Sequence, residues 1–449
     1  MATHNCVETA EPPPERLEMD KEKEGESSGT DVGGTNTPTS PADIHDEHSI
    51  HKVPNGGLNA WLHVVGAHFL FFNTWGVVNS FGAYQTYYKS DLLQDSAPSA
   101  VSLIGAIQAF LLMFVGALTG PFYDAGHFRL LLLLGSFLLA FGQMMLSLCT
   151  EYWQVLLAQA FCVGAGAGCL FIPTVAILTT YFSTRLATAI GFAATGSGVG
   201  GIVYPVMVHK LIGRVGFPWT ARAMGFVVIG TLLVPIALMK MRVLPASRRR
   251  LFDPHAFTEP SFDLFVVGTM LGLMGLFTPF FYIQLYALNQ QAADSDFAFY
   301  LLAIMNAASI FGRIIPNVIA DRIGPFNSMI PCAFACSILA FCLIRISSLG
   351  STVVFCILYG FFSGTFISLP LPIIVSLTPD RSKAGARLGM AFLVMSIGML
   401  TGTPIAGAIL SNGGYTRVWI YTGTTTMCCA IMTVAARVWK FGWGIRTKG

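Results

Sequence analysis

The chain has 449 residues, of which 54% are hydrophobic and only 11% are charged. Soluble globular domains carry about 25% charged residues, so this composition excludes an ordinary soluble protein. The apolar residues come in runs of roughly 18 to 25, the length that crosses a bilayer as an α-helix. In a chain that is mostly membrane spans, the formal net charge of +3 says little about binding partners.

The first 53 residues differ from the rest of the chain. They contain 12 of the 23 acidic residues and few apolar ones, and such a composition cannot bury enough apolar surface to fold. We therefore expect residues 1–53 to form a disordered, acidic, cytosolic tail. No apolar run near residue 1 resembles a cleaved signal peptide, so the first membrane span is expected to direct insertion.

Twelve apolar segments follow the tail, with the longest polar connection between the sixth and the seventh. They predict an all-α integral membrane protein with twelve transmembrane helices in two six-helix bundles. The predicted spans are about 60–84, 99–120, 129–150, 153–178, 186–212, 222–240, 262–286, 297–319, 326–346, 351–377, 387–410 and 416–438. The predicted domains after the tail are an N-terminal bundle (54–240), a cytosolic linker (241–261), a C-terminal bundle (262–440) and a short basic tail (441–449).

The basic residues are distributed unevenly between the two sides of the membrane that this topology defines. With the amino terminus in the cytosol, nineteen lysines and arginines fall on the cytosolic side and six on the other. Cytosolic loops carry an excess of these residues, so both termini are predicted to be cytosolic. Arg313 belongs to neither side.

Short patterns recur at equivalent places in the two halves. "GPFYDAGHFR" follows the second span, and "ADRIG" follows the eighth. A basic residue and two glycines also recur with spacings of six and nine residues, around the fifth and the eleventh span. These triplets are Arg185, Gly191 and Gly200, and Lys383, Gly389 and Gly398. Two independent repeats indicate two parallel bundles related by an axis along the membrane normal.

The loop after the second span resembles the pattern G-x-x-x-D-x-x-G-x-R of the major facilitator superfamily, with its second glycine one position early. Asp124 and Arg129 match that pattern, and Asp321 and Arg322 match it in the other half. The resemblance implies a gate, in which each carboxylate holds an arginine and a neighbouring helix N-terminus. An ordinary surface ion pair, worth about 0–1 kcal/mol, is the alternative.

Two further stretches, "NGGLNAW" and "YFSTRLATAIGFAATGSGVGG", resemble the fungal monocarboxylate porter-like branch of this superfamily. Three positions depart from that resemblance. Asn55 stands where the family has an acidic residue, Asn79 aligns with a lysine of the mammalian carriers, and Ser309 aligns with their aspartate. Since those lysine and aspartate groups serve proton and lactate handling in the family, a lactate-like substrate is not expected.

Arg313 stands inside the eighth predicted span, in "FAFYLLAIMNAASIFGRIIPNVIADRIG". Lipid cannot satisfy a polar stripe, so its stripe is predicted to face the bundle interior or a water-filled cavity. No acidic residue maps to the middle of a predicted span. Two interpretations remain open: helix carbonyls and water satisfy Arg313, or an anionic substrate does. The stripe, at helical spacing, is Asn306, Ser309, Arg313 and Asn317.

Two other helix faces carry polar side chains. His68 and Asn79 share a face of the first span, where His68 is either a proton carrier or a hydrogen-bonded packing residue. Tyr282 and Tyr286 share a face of the seventh span, where they either hydrogen-bond an organic substrate or pack, and Pro279 allows a helix break there. The candidate substrate-binding residues are Arg313, Ser309, Asn306, Asn79, His68, Tyr282 and Tyr286.

These observations predict a secondary transporter that moves a small organic metabolite by alternating access, with anionic metabolites among the candidates. Export of a fungal secondary metabolite is favoured, because the lysine and aspartate of the lactate carriers are absent. Uptake of a monocarboxylate or vitamin-like nutrient is one alternative, and a metabolite receptor without transport is another.

Other classes of protein fit the sequence less well. The spans show no nucleophile, metal cluster or acid pair of an enzyme, and the chain has no phosphate-binding loop for ATP. We expect no cofactor, no metal and no nucleic acid, and we expect the lipid bilayer and a small-molecule substrate as partners, with proton coupling left open. The plasma membrane is favoured over the vacuolar membrane.

Overall fold

The computed structural model describes residues 54–242, 253–291, 293–378 and 384–444. Helices make up nearly all of these ranges, and the predicted acidic tail, residues 243–252 of the linker and the last five residues lie outside them. In hydrocarbon, a helix satisfies every backbone N–H and C=O within its own segment, so apolar runs of this length fold as helices.

The first half of the described chain, residues 54–242, is a bundle whose opening span is broken. Thr74, with φ −93° and ψ −80°, and then Ser80 separate three short helices in place of one long helix. A π-helix, Leu156–Val163, interrupts the fourth span. The α-helices are α1 (Leu58–Asn73), α2 (Trp75–Asn79), α3 (Phe81–Tyr87), α4 (Pro98–Asp124), α5 (Phe128–Leu146), α6 (Tyr152–Val155), α7 (Gly164–Tyr181) and α8 (Leu186–Leu238).

The second half, residues 253–444, repeats this plan. Its first span is again broken, at Phe277 ahead of Pro279, and its fourth span is broken at Leu369 ahead of Pro370. Proline has no N–H to donate and clashes with the preceding turn, which explains both positions. The α-helices are α9 (Pro260–Leu276), α10 (Thr278–Asn289), α11 (Ser295–Ile323), α12 (Pro325–Cys342), α13 (Leu349–Ser368), α14 (Pro370–Leu377) and α15 (Ala384–Phe441).

Nine helical segments in the described part of the chain are long and apolar enough to cross a membrane. Two of them, α8 with 53 residues and α15 with 58, contain one glycine each with non-helical backbone angles, Gly216 and Gly414. Tyr204 and Thr231, on either side of Gly216, both hydrogen-bond Asn73, so the chain folds back at this glycine. The nine segments become eleven spans when α8 and α15 are each counted as two. The broken first span, α1 to α3, adds one more, and the total is consistent with the twelve predicted crossings.

The internal repeat that the glycine spacings predict is confirmed by the packing. Gly200 of α8 lies against the backbone carbonyl of Phe72, and Gly398 of α15 lies against that of Met270, so close that a Cβ on either glycine would overlap the carbonyl. The fifth span therefore packs on the first as the eleventh packs on the seventh. Small residues allow this close approach between membrane helices.

The turns repeat as well as the helices. Gly216 and Gly414, which divide α8 and α15, have φ of 75° and 71°. Gly126 and Gly324, which follow the second and the eighth span, have φ of 88° and 100°. Since positive φ favours glycine, the displaced glycine of the first loop motif still supplies the turn that Gly324 supplies in the other half.

Candidate functional site

An apolar cavity of about 30 Å³ lies between the two halves. Its described lining contains no charged side chain, and Ser197, Thr269 and Ser368 supply hydroxyl groups. The aromatic residues of its wall are Phe71, Trp75, Phe171, Phe277, Phe366 and Phe392.

The helix breaks position this lining. Trp75 directly follows the break at Thr74, and Phe277 lies at the corresponding break of the second half. The two rings come from different halves and are nearly parallel, with centroids 5.9 Å apart and planes at 20°. Helices interrupted at corresponding places in two repeats mark the binding site in many transporter folds.

A second cavity, of about 260 Å³, adjoins the first at one end of the bundles. Asp124 and Ser183 of the first half and Gly385 and Leu388 of the second line it, and Leu371 lines both cavities. We call this end, where the chain also places Asn55, Asp321 and Arg387, the basic end, and this cavity the vestibule. The basic end is the one that is predicted to face the cytosol.

The opposite end is closed by aromatic contacts between the halves. The rings of Phe81 and Phe281 lie 5.2 Å apart, and Gly82 lies against the backbone carbonyl of Phe280. Tyr282 is fully buried there, and its hydroxyl donates to the carbonyl of Thr403 at 3.4 Å. The structure therefore places Tyr282 at the closed end and outside both cavities.

Asp321 joins the two halves at the basic end. Its carboxylate accepts hydrogen bonds from the backbone N–H groups of Ala187 and Thr188, at 3.1 and 3.0 Å, and from the Thr188 hydroxyl. These groups form the N-terminus of α8, where unsatisfied N–H groups and the helix dipole favour a negative charge. The carboxylate thus binds a helix N-terminus, as the predicted gate requires, while the side chains of Arg322 and Arg129 are exposed.

Asp124, the counterpart of Asp321, is buried and lines the vestibule. The nearby start of α15 also carries an ion-pair cluster. Arg387 donates to Asp253 at 3.1 Å and to both oxygens of Glu259 at 2.6 and 3.0 Å. These hydrogen bonds lower the pKa of the Glu259 carboxyl. All three residues belong to the second half, so this cluster does not join the halves.

Arg313 is fully buried at the contact between α8 and α11. Its Nη1 donates to the Ser309 hydroxyl at 2.5 Å, but Nε and Nη2 have no hydrogen-bond partner among the described residues. A Cβ on Gly198 would lie 3.1 Å from Nη1. Arg313 therefore lies behind the cavity wall formed by Ser197, with unused hydrogen-bond donors.

The rest of the predicted stripe is also buried between the halves. Asn306 packs against Gly201 of α8, and its Oδ1 has no partner in the described part of the chain. Asn317 donates to the hydroxyl of Ser368, which lines the central cavity. Spacing along the helix thus identified the face of α11 that contacts the other half.

Asn79 lies close to this region, whereas two other candidates do not. Asn79 donates to the carbonyl of Ser197 at 3.4 Å. His68 bonds the Thr195 hydroxyl at 3.0 Å, at the contact of α1 with α8 inside the first half. Tyr286 donates to carbonyls of residues 343 and 346 and meets the Trp419 ring edge-on inside the second half. His68 and Tyr286 line neither cavity.

The Asn55 departure from the family pattern has a structural explanation. The Asn55 Oδ1 accepts from the backbone N–H groups of Ser183 and Thr184, at 2.7 and 2.9 Å, and from the Ser183 hydroxyl. An amide oxygen accepts such bonds as a carboxylate does. Asparagine therefore keeps the start of the first span attached to the loop before α8.

Sequence reasoning missed the aromatic lining of the central cavity. Phe277 and Trp75 are two of many aromatic residues in the spans, and periodicity does not separate cavity walls from packing. The available signal was the pair of interrupted spans, since Pro279 and Pro370 each follow a cavity residue, Phe277 and Ser368, by two positions.

Comparisons with known proteins agree with this architecture. Residues 64–384 match the family model described as Major Facilitator Superfamily. The MFS-type transporter dbaD of Emericella nidulans is 45% identical, over 95% of this chain and 99% of that protein. The aspyridones efflux protein apdF of the same organism is 35% identical, over 86% and 80%. The human organic anion transporter MFSD10 superposes with a TM-score of 0.64 at 12% identity, over 84% of this chain and 98% of the other.

The fold of two helical bundles around a central cavity defines a multi-pass membrane transporter. This chain belongs to the Major Facilitator Superfamily. It is thus a transporter of small molecules and not an enzyme.

Proposed function

We propose that this transporter exports a small organic secondary metabolite, which it loads from the cytosol. The observation that carries the proposal is the vestibule, which lies at the basic end and adjoins the central cavity through Leu371. The opposite end is closed by the Phe81 and Phe281 rings. A relative that is named as an efflux protein supports the same direction.

In the proposed cycle, the metabolite enters the vestibule and moves to the cavity beside Trp75 and Phe277. The halves then rock, so that the Phe81 and Phe281 contact opens and the basic end closes. Asp321 holds α8 against the second half at the basic end, and it fixes one side of the interface about which the halves move.

Arg313 binds an acidic group of the metabolite in this proposal. Support comes from its two unpartnered donors, since a buried guanidinium without a partner costs several kcal/mol. A planar guanidinium also matches the two oxygens of a carboxylate. The acidic group would reach Arg313 beside Ser197, at the contact between the halves.

We place the transporter in the plasma membrane and propose that a proton gradient drives export. His63 and His68 are the histidines of the first span; the His68 ring bonds Thr195 and the His63 ring bonds the carbonyl of Asn59. An ionophore that collapses the gradient should then stop release of the metabolite into the medium. Continued release at the same rate would contradict proton coupling without contradicting export.

The proposal is tested by comparing metabolites of cells and medium with and without the gene. Loss of the gene should raise at least one organic metabolite in cells and lower it in the medium, and re-expression should reverse both changes. The Arg313→Ala protein, expressed at the same surface level, is the matched control and should not reverse them. Loss of uptake from the medium would instead favour the nutrient carrier, and an unchanged distribution would contradict transport of any cellular metabolite.

A further inference from the structure

We propose that the cargo carries a planar aromatic ring system with hydroxyl groups, which stacks between Trp75 of the first half and Phe277 of the second. The proposal rests on the export function proposed above and assigns a substrate class to the central cavity. Both rings line that cavity. We call this pair the ring slot.

The geometry of the ring slot suits a flat aromatic molecule. Trp75 and Phe277 are nearly parallel, at 20°, whereas Phe171 meets Trp75 edge-on at 79° and Phe392 meets Phe171 at 77°. Aromatic rings carry negative faces and positive edges, so they attract another ring in offset stacks and in edge contacts. The slot therefore offers two faces above and below a guest and ring edges beside it.

The origin of the two rings distinguishes a binding slot from ordinary core packing. Each ring lies at a helix break, and each belongs to a different half. When the halves rock, these two rings are therefore expected to separate. The cavity holds only about 30 Å³ in this structure, so a guest enters as the rings part and its two faces replace the lost contact.

The hydroxyl groups of the cavity define the polar part of the guest. Ser197 donates its hydrogen to the carbonyl of Ala194 at 2.7 Å, and Thr269 donates to that of Phe265 at 2.8 Å. Their oxygens keep free lone pairs and act as acceptors towards the cavity. Such acceptors select a guest with O–H donors, as on a phenol.

Two probes of matched size test the ring slot directly. We suggest equilibrium dialysis of full-length protein in nanodiscs against 2-naphthol and against its saturated analogue decahydro-2-naphthol, with empty nanodiscs subtracted. We expect 2-naphthol to bind roughly tenfold more tightly than the analogue, since each aromatic contact contributes a factor of a few to about ten. Trp75→Leu and Phe277→Leu should each remove most of that preference, and Trp75→Phe should retain it.

A second aromatic pair supplies the control. Phe137 and Phe141 of α5 are stacked at 5.7 Å and 16°, but both are exposed on the outer face of the bundle, so Phe137→Leu should leave the preference unchanged. Size-exclusion profiles establish that each variant is folded. Equal binding of both probes, no binding of either, or an unchanged preference in Trp75→Leu would overturn the ring slot. This assay does not depend on transport direction, so a failure of export in cells leaves its result intact.

Discussion

The two helices that begin at the vestibule, α8 and α15, hold equivalent positions in the repeat but have different partners. The start of α8 is capped by Asp321 of the other half. The start of α15 is held through Arg387 by Asp253 and Glu259 of its own half. The equivalent glycines differ in how tightly they pack. Gly191 lies against the backbone carbonyl of Arg313, so a Cβ there would overlap it. A Cβ on Gly389 would lie 3.4 Å from the carbonyl oxygen of Ala117.

The two N-termini therefore differ in which half supplies the hydrogen bonds described above. At the contact of α8 with α11, a carboxylate, a glycine and the Arg313 stripe meet across the interface. At the contact of α4 with α15, the vestibule lies between the halves, and Arg387 of α15 pairs with Asp253 and Glu259 of its own half. From the vestibule and the looser packing at Gly389, we infer that opening at the basic end begins at the contact of α4 with α15.

The largest expected effect comes from Gly191→Ala, compared with Gly389→Ala. A Cβ at position 191 would overlap a backbone carbonyl that cannot move aside, and overpacking of this kind costs about 1–3 kcal/mol. Export should be lost, and the melting temperature in detergent should fall. Gly389→Ala meets only ordinary van der Waals contact and should retain most export. Equal losses in the two variants would show that both contacts are equally tight.

Substitutions of Arg313 test the contact of α8 with α11. Because Nε and Nη2 have no partner in the described part of the chain, Arg313→Ala should keep its surface level and thermal stability but lose export. Arg313→Lys keeps the charge without the planar fork and should bind the metabolite more weakly by about 1–3 kcal/mol.

Arg387→Ala is the matched control for a buried arginine that has partners. It leaves the buried Asp253 carboxylate without its cation, and removing one partner of a buried ion pair is destabilising. This variant should therefore lose surface level. Normal export by Arg313→Ala would remove Arg313 from the substrate site, and its disappearance from the membrane would assign it a structural role.

A smaller effect is expected from Asp321→Asn. The variant keeps one acceptor oxygen, replaces the other with an NH₂ donor that cannot accept from α8, and loses the charge at the α8 N-terminus, which alone is worth about 0.3–1 kcal/mol. A reporter cysteine at Thr179, which lines the vestibule, should then react a few times faster with a membrane-impermeant thiol reagent applied to the basic end. Arg322→Gln, at an exposed side chain beside Asp321, should leave this rate unchanged, and an unchanged rate in Asp321→Asn would contradict the role of its carboxylate.

The smallest effect concerns acid stability at the start of α15. The Glu259 pKa is lowered, chiefly by hydrogen bonds from Arg387, so its stabilising contribution is present above the unfolded-state pKa of about 4.3 and is lost as the pH falls through the folded-state pKa. Because the pair is partly exposed, the contribution is below about 1 kcal/mol. Wild type should be more stable than Glu259→Gln at pH 7, and the two proteins should converge once the pH falls below the lowered folded-state pKa of Glu259. A difference that persists in acid would contradict this origin.

Much of the fold follows from the sequence because the bilayer leaves helices few alternatives. Length, apolar runs and repeated glycines predicted the bundles, and the spacing of Asn306, Ser309 and Arg313 predicted the buried face of α11. The candidate site was less predictable. A span in a bundle contacts several neighbours, so the inward faces of His68 and Tyr286 meet helices of their own half. Which face meets the other half depends on packing that periodicity does not encode.

The glycine turns of α8 and α15 also bear on how movement spreads through the protein. Gly216 and Gly414 are the only residues with non-helical angles within those two segments, so each pair of spans is joined with almost no slack. Each hairpin then acts as a stiff lever, whose displacement at one membrane face is transmitted to the other. A lengthened, flexible turn at either glycine would uncouple the faces, so that cargo would bind on one side without prompting release on the other.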